Sequence, residues 1–273
     1  MLDKSCYGAC MVGSRSALPR SLKRHARWMH LAGVPALLMH PELDLPAQRP
    51  LPFLLWLHGR TANKELDNSR YLRLLRAGIA CVALDLPGHG EREEAAMQTS
   101  AHSMQVIERM LQELPAVLQD LAAEKGFDLQ RVAIGGMSLG GMIALARLCQ
   151  PHHFCAALLE ATTGDFTHLE SAQHDPRRAD ALEPARHLDR WQPTPVLALH
   201  AQYDDWIHIA WQREFMERLS MVNGDMATEL VVYPRTGAPH EHIGFGTFAA
   251  QSKDAGIAFL LRHLRPEPLT SPR

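Results

Sequence analysis

Residues 132–141 read Val-Ala-Ile-Gly-Gly-Met-Ser-Leu-Gly-Gly. The short apolar run at 132–134 is typical of a buried strand, and the segment that follows Ser138 favours a helix as far as Leu148. Gly-x-Ser-x-Gly between a strand and a helix is the pattern of a sharp turn that exposes a nucleophilic hydroxyl. An ordinary glycine-rich turn is the alternative, and the strand and helix on either side favour the nucleophile. Ser138 is therefore predicted to be a nucleophile.

The composition indicates a soluble globular protein. The chain has 273 residues, of which 46% are hydrophobic and 21% charged, with a net charge of −2 and a pI near 6.8. No basic excess is present to attract nucleic acid or an anionic membrane surface. Five scattered cysteines suit reduced thiols, and Cys6 and Cys10 lack the second pair that a zinc site would need. We expect a cytoplasmic protein with no bound metal and no membrane span.

Strand-like and helix-like segments alternate on both sides of Ser138, which predicts an α/β fold with a mostly parallel sheet covered by helices on both faces. One domain is expected at 25–265, with an N-terminal arm at 1–24 and a C-terminal tail at 266–273. Pro115 lies inside a predicted helix and suggests a kink or a break there. Strands are predicted at 27–31, 34–39, 53–57, 79–84, 131–134, 155–160, 195–200 and 229–233, and helices at 64–77, 103–125, 139–148, 207–221 and 246–264.

The segment 162–192 interrupts this alternation. It is polar and charged, and it has too few apolar residues to form a domain of its own. Two interpretations stay open at this point, a small lid over the active edge of the sheet and a plain surface excursion.

Acid and base candidates follow two later strands. Asp204 and Asp205 come after the strand at 195–200, and His240 and His242 come after the strand at 229–233. A serine nucleophile needs a base to accept its proton and an acid to orient that base, and both positions fall at the carboxyl edge of the predicted sheet. His-x-His could also indicate a metal pair, but no acidic or cysteine cluster accompanies it.

Four short motifs stand out in the chain. They are Leu57-His58-Gly59, Asp85-Leu86-Pro87-Gly88-His89-Gly90, Gly136-Met137-Ser138-Leu139-Gly140 and His200-Ala201-Gln202-Tyr203-Asp204. Together they resemble the motifs of the serine esterases of the α/β-hydrolase fold, nearest the prolyl-oligopeptidase-like and dienelactone-hydrolase-like branches. The resemblance covers about residues 25–265. This chain differs mildly at Ala201, where the family usually has glycine, and dienelactone hydrolases proper have cysteine where this chain has Ser138.

The resemblance implies a role for particular residues. The chain order Ser, Asp, His is the one that α/β-hydrolases have. Family spacing favours Asp204 over Asp205 as the acid, and a base directly after a glycine-containing turn favours His240 over His242. The oxyanion hole would be formed by the backbone N–H groups of Leu139 and Arg60.

Other residues near the motifs are candidates for substrate contacts or for structural roles. The side chain of Arg60 could contact a substrate carboxylate, although most arginines are exposed to solvent. Met137 and Trp206 would either line an acyl pocket or belong to the core. The histidines of the motifs, His58, His89 and His200, are expected to brace loops through hydrogen bonds.

The predicted function is hydrolysis of a carboxylic ester through an acyl-enzyme, with no cofactor and with a small-molecule ester as substrate. The alternatives are a thioesterase or small peptidase that uses the same triad, and a non-catalytic binding protein that retains the fold. A peptidase of this fold usually carries an additional large domain, which is not expected in 273 residues. The oligomeric state is left open, a homo-oligomer included.

Overall fold

An eight-stranded sheet organises the chain in the computed structural model, which describes residues 18–43 and 49–265. The central strands are buried along their whole length, as the continuous apolar runs of a two-sided sheet predict. The strands are β1 (Ala26–Leu31), β2 (Val34–Met39), β3 (Leu51–Leu57), β4 (Ala80–Leu84), β5 (Phe127–Met137), β6 (Ala156–Glu160), β7 (Val196–Ala201) and β8 (Thr228–Tyr233).

The spatial order of the strands is β1-β2-β4-β3-β5-β6-β7-β8. The first two strands form the predicted hairpin through Ala32 and Gly33, both in the left-handed region, and β2 pairs antiparallel with β4. Every other neighbouring pair is parallel. The parallel strands therefore end at one edge, and the predicted mostly parallel α/β sheet is confirmed.

Helices cover both faces of the sheet and create two cores. One core lies between the sheet and α3, α4 and α7, and the other lies between the sheet and α1, α2 and α8. The helices are α1 (Arg20–Lys23), α2 (Asn68–Arg76), α3 (Ser103–Leu121), α4 (Leu139–Leu148), α5 (Glu170–His174), α6 (Pro176–Leu182), α7 (Ile209–Val222) and α8 (Ala249–Leu264).

The predicted break at Pro115 is wrong, because α3 continues through this residue as one helix. A proline inside a helix removes one N–H donor, and its ring crowds the carbonyl of residue i−4. Apolar side chains on either side of it, including Leu111, Leu114 and Val117, are buried in the core, and this packing holds the helix together. Tertiary contacts thus outweigh the local preference of a proline.

The insertion at 162–192 folds into α5, α6 and two 3-10 turns between β6 and β7. Phe166, Leu169 and Trp191 of this segment are buried in the core on the α3 side of the sheet. The segment is also tied to α3 by an ion pair between Arg178 and Glu108 at 2.8 Å. The insertion is therefore a packed part of the sheet domain.

Several predictions concern residues outside the described ranges. These are most of the predicted arm, at residues 1–17, and the predicted tail at 266–273; residues 44–48 also lie outside the described ranges. Within the described residues, no helix is both long enough and apolar enough to cross a bilayer.

Gly140, in the first turn of α4, allows a test of how closely this helix packs against β3. A Cβ atom there would lie 2.1 Å from the carbonyl oxygen of Leu57 in β3, so Gly140→Ala must push the helix off the sheet. We expect a loss of roughly 1–3 kcal/mol in the free energy of unfolding, the usual cost of overpacking. Urea unfolding measures the loss. Gly59→Ala is the matched control, since its Cβ would meet neighbours only at 3.5 Å or beyond, and equal stability losses in both variants would contradict the argument.

Candidate active site

Ser138 lies on the turn between β5 and α4 in a strained conformation. Its φ is 51° and its ψ is −116°, a region that L-residues rarely adopt. Two hydrogen bonds hold this conformation: the Ser138 N–H donates to the carbonyl of Glu160 at 2.8 Å, and the Thr162 hydroxyl donates to the Ser138 carbonyl at 2.8 Å. The turn keeps the serine half-buried, within reach of a substrate.

Close packing of the helix behind the turn explains the flanking glycines. A Cβ atom on Gly136 would lie 2.3 Å from the carbonyl carbon of Gly140. No side chain fits at this crossing, so the strand and the helix meet backbone to backbone. The first N–H groups of α4, which directly follow Ser138 in the chain, lack partners within the helix.

Ser138 belongs to a hydrogen-bonded chain of three side chains. The Ser138 Oγ atom lies 2.9 Å from Nε2 of His242, and Nδ1 of His242 lies 2.8 Å from Oδ2 of Asp204. His242 is 2% exposed, so the bonds on both sides of its ring are shielded from water. A carboxylate on Nδ1 selects the tautomer that protonates Nδ1 and leaves Nε2 as the acceptor for the serine proton.

Asp204 is held rigidly in this chain. Its second oxygen, Oδ1, accepts the N–H groups of Trp206 at 2.9 Å and Ile207 at 2.8 Å. The structure thus brings Asp204 to the site, as the family spacing implies. Asp205 instead has a side chain that is 67% exposed and lies on the outside of the loop.

The structure corrects the choice of His240 as the base. His242, two residues further on, occupies the position between Ser138 and Asp204. The side chain of His240 is 38% exposed and stacks on Trp206 with ring centroids 5.1 Å apart, and its Nδ1 atom lies 4.0 Å from the carboxylate of Asp205. His240 therefore lies at the mouth of the site.

The backbone after β8 explains this correction. His240 and Glu241 both have positive φ values, 54° and 49°, which turns the chain before His242. The Glu241 carboxylate fastens the turn by accepting the N–H groups of Thr236 at 2.6 Å and Gly237 at 2.9 Å. Two consecutive left-handed residues change which side chain points inward, and no residue type in the stretch signals them in advance.

The loop after β3 contains Arg60, whose N–H is the second predicted oxyanion donor. A Cβ atom on Gly59 would lie 3.6 Å from the Cβ of Ser138, so this loop runs directly beside the serine. Arg60 follows, and its guanidinium turns to the carbonyl of Gln98 at 3.2 Å. Burial lowers the pKa of this half-buried arginine, which is not the solvent-exposed side chain that is usual for the residue.

Trp206 and Met137 flank the triad on different sides. Trp206 packs against His242 with ring centroids 4.8 Å apart and also contacts the core on the α3 side. Met137 is half-buried, belongs to the edge of the opposite core, and its Sδ atom is 3.9 Å from where a Gly59 Cβ would lie. Each of the two residues is thus partly core and partly site wall.

The motif histidines brace loops, as predicted. His58 accepts the N–H of Leu86 on Nε2 at 3.1 Å, and its Nδ1 donates to the carbonyl of Gly59 at 2.7 Å. His89 lies 2.8 Å from the Pro87 carbonyl, and His200 lies 2.7 Å from the Ile207 carbonyl. His58 thereby ties the loop after β3 to the loop after β4, whereas His89 and His200 brace the loops after β4 and β7 from within.

Sequence reasoning missed a buried ion pair below the nucleophile turn. Arg70 of α2, 1% exposed, lies 2.6 Å from the carboxylate of Glu160 and 2.7 Å from that of Asp67, and its guanidinium covers the Trp56 ring at 3.8 Å. Lys253 lies 3.6 Å from both carboxylates. Because Glu160 also accepts the Ser138 N–H, this network supports the serine. The sequence did contain a signal for this ion pair, the charged Glu160 at the end of the otherwise apolar β6.

The comparisons with known proteins identify the family. A sequence profile described as the alpha/beta hydrolase family matches residues 54–266. The chain belongs to this family. It is 24% identical over 252 residues to the esterase YjfP of Escherichia coli K12, which covers 86% of this chain and 97% of that protein.

Two solved structures share the fold of this alpha/beta hydrolase. TT1662 from Thermus thermophilus superposes with a TM-score of 0.70 at 23% identity, over 89% of this chain and 98% of that one. A puromycin-hydrolyzing peptidase of Mycobacterium tuberculosis superposes with a TM-score of 0.68 at 23% identity, over 90% of this chain and 40% of that one. The sheet and its helices are therefore shared with TT1662 and with part of the longer peptidase.

The lowered pKa of His58 predicts how the stability of the protein depends on pH. Burial, with the neighbouring His89, lowers the pKa of His58 to about 4, whereas the unfolded value is about 6.5. Between these values the unfolded chain binds the proton and the folded chain does not, so the free energy of unfolding must fall as the pH drops from 6.5 to 4, by at most about 1.4 kcal/mol per pH unit for this group. Urea unfolding across this range should give a shallower slope for His58→Asn, and parallel slopes would contradict the prediction.

Proposed function

We propose that the protein is a serine hydrolase that cleaves carboxylic esters through an acyl-enzyme. The observation that carries the proposal is the continuous chain of hydrogen bonds from Ser138 through His242 to Asp204, at 2.9 and 2.8 Å. Both distances lie within the range that proton transfer from a nucleophile to its base requires.

In the first half of the reaction, Ser138 Oγ attacks the ester carbonyl while Nε2 of His242 takes its proton. Asp204 holds the ring through Nδ1 and stabilises the imidazolium that forms. The protonated His242 then donates this proton to the departing alcohol oxygen as the carbon–oxygen bond breaks. The acyl group remains attached to Ser138.

The negative charge that develops on the carbonyl oxygen needs donors that are already in place. The backbone N–H of Leu139, at the start of α4, is one donor, and the N–H of Arg60 in the loop beside Ser138 is the other. Donors of this kind are each worth on the order of 10²–10³ in turnover. The close contact between Gly59 and Ser138 supports this pairing.

In the second half, water attacks the acyl carbon while His242 again serves as base, and the carboxylic acid leaves as Ser138 regains its proton. These steps use only side chains and backbone groups of the chain, so the proposed reaction needs no cofactor. Trp206 and Met137 are proposed to contact the substrate at the two sides of the serine.

Ester hydrolysis is favoured over amide hydrolysis by one comparison. The chain matches 97% of the length of the esterase YjfP, whereas it covers 40% of the puromycin-hydrolyzing peptidase. A thioesterase uses the same triad and is the second candidate, because the triad itself does not select the leaving group.

Matched substrates test the reaction class. For one acyl group, we expect the p-nitrophenyl ester to be turned over with a kcat/KM at least 100-fold above that of the p-nitroanilide, a gap of about 2.7 kcal/mol in barrier. A thioester of the same acid completes the series. An anilide hydrolysed as fast as the ester would replace the esterase proposal by a peptidase, and a folded protein inactive on all three would favour a binding protein.

Ser138→Ala tests the nucleophile. The variant should fold and lose ester turnover by on the order of 10⁴-fold or more, because no other group at the site can form the acyl-enzyme. A fluorophosphonate probe followed by peptide mass spectrometry should label Ser138 in the unaltered protein and leave the variant unlabelled. Turnover near the unaltered level in a folded Ser138→Ala protein would refute the mechanism.

Two matched pairs test the acid and the base. His242→Ala and Asp204→Asn should each reduce kcat by several orders of magnitude, since each breaks the hydrogen-bonded chain. His240→Ala and Asp205→Asn alter the other candidate of each pair. They should lower kcat by less than tenfold, or about 1.4 kcal/mol in barrier. If His240→Ala proved the more damaging of the two histidine variants, the base would be assigned wrongly.

A further inference from the structure

A cavity that is separate from the Ser138 site lies where the last turn of α4 meets the beginning of β5. Its volume is about 300 Å³, at the lower end of the range for small-molecule sites. Leu129, Val132 and Phe154 form an apolar part of its wall, and Arg147 and His152 also line it. The rise of the helix separates Arg147 from the nucleophile turn by about 13 Å. The cavity is therefore distinct from the catalytic site.

Arg147 has no counter-charge in this wall. It is 8% exposed, and no carboxylate of the described residues comes within ion-pair distance of its guanidinium. One nitrogen, Nη1, donates to the carbonyl of Pro151 at 3.0 Å, while Nε is buried with no hydrogen-bond partner in the described part of the chain. Burial lowers the pKa of Arg147, and no neighbouring charge opposes this effect. A buried arginine normally has hydrogen-bond acceptors around it. The guanidinium of Arg147 instead lies over the Phe154 ring at 5.6 Å, which leaves Nε without an acceptor among the described residues.

His152 presents a second donor in the same wall. Its Nδ1 accepts the N–H of Phe154 at 3.1 Å, so the ring proton is on Nε2. That Nε2 is buried and has no partner among the described residues. Burial, together with Arg147 and His153, lowers the pKa of His152 to about 4, so the ring is neutral at neutral pH. It contributes a donor without adding charge.

Capping of α4 explains only part of this arrangement. An arginine in the last turn of a helix often donates to nearby carbonyls, and the bond to Pro151 is of this kind. It uses one of five guanidinium N–H donors and leaves His152 unexplained. Among the described residues, no aspartate or glutamate lines the cavity. The wall thus combines donors, one positive charge and an apolar surface.

We propose that this cavity binds a small monocarboxylate with an apolar body. The carboxylate oxygens accept hydrogen bonds from the guanidinium of Arg147 and from Nε2 of His152, and the apolar body contacts Leu129, Val132 and Phe154. One negative charge matches one uncompensated positive charge, and a planar carboxylate suits the planar guanidinium. Inorganic phosphate carries more charge than the wall offsets and has no apolar part to bury.

Ligand-observed fluorine NMR with para-fluorobenzoate tests the proposal on the full chain. We expect saturable binding of the acid and at least tenfold weaker binding of para-fluorobenzamide, its neutral isostere. Arg147→Gln should weaken binding of the acid at least tenfold. Arg60→Gln, which removes a half-buried arginine near Ser138, should leave the affinity unchanged. Unfolding curves of both variants establish that they fold.

A third variant keeps the test valid if Arg147→Gln does not fold. Gln119 is an exposed residue at the rim of the cavity, and Gln119→Trp should block entry without disturbing the core. Equal binding of acid and amide would overturn the proposal. It would also be overturned if Arg60→Gln lost affinity for the acid while the Arg147 and Gln119 variants kept it. Displacement of para-fluorobenzoate by equimolar inorganic phosphate would also overturn it, since the site would then be a general anion site. The readout is binding, so it stands apart from the proposed hydrolysis.

Discussion

The contact between Gly140 and the carbonyl of Leu57 constrains everything around the site. With a Cβ atom only 2.1 Å from that oxygen, no residue but glycine lets α4 cross β3 at this height. This crossing sets the turn that carries Ser138, and the same turn brings the loop after β3 alongside the serine. Ser138, the N-terminus of α4 and the loop that contains Arg60 thus all lie around this one backbone contact.

A buried ion pair helps to hold Ser138 in its strained conformation. The carbonyl of Glu160 receives the Ser138 N–H, and its carboxylate is paired with Arg70 inside the sheet domain. Such an ion pair adds little net stability compared with apolar residues, but removing one partner leaves a buried charge at a high cost. The ion pair nevertheless gives the strained Ser138 turn a rigid support, and the position of the Ser138 Oγ atom depends on that turn.

Much of the fold could be predicted because its signals are local. Apolar runs at 53–57 and 132–134 predicted buried strands, and their alternation with helices predicted the parallel sheet. The predictions failed where packing overrides local preference. Pro115 remains inside α3 because the apolar side chains around it are buried. The ion pair of Arg70 and Glu160 joins residues far apart in the chain, which no local pattern reveals.

The sequence by itself determined the α/β fold, the strand–turn–helix around Ser138 and the two short loops that contain the candidate acid and the candidate base. Only the tertiary structure decided which member of each pair, Asp204 or Asp205 and His240 or His242, points inward. Asp204 is oriented by two backbone N–H groups of its own loop, whereas His242 is oriented by two left-handed residues that the Glu241 carboxylate holds in place. Side-chain direction depends on these dihedral angles, and long-range contacts set the angles.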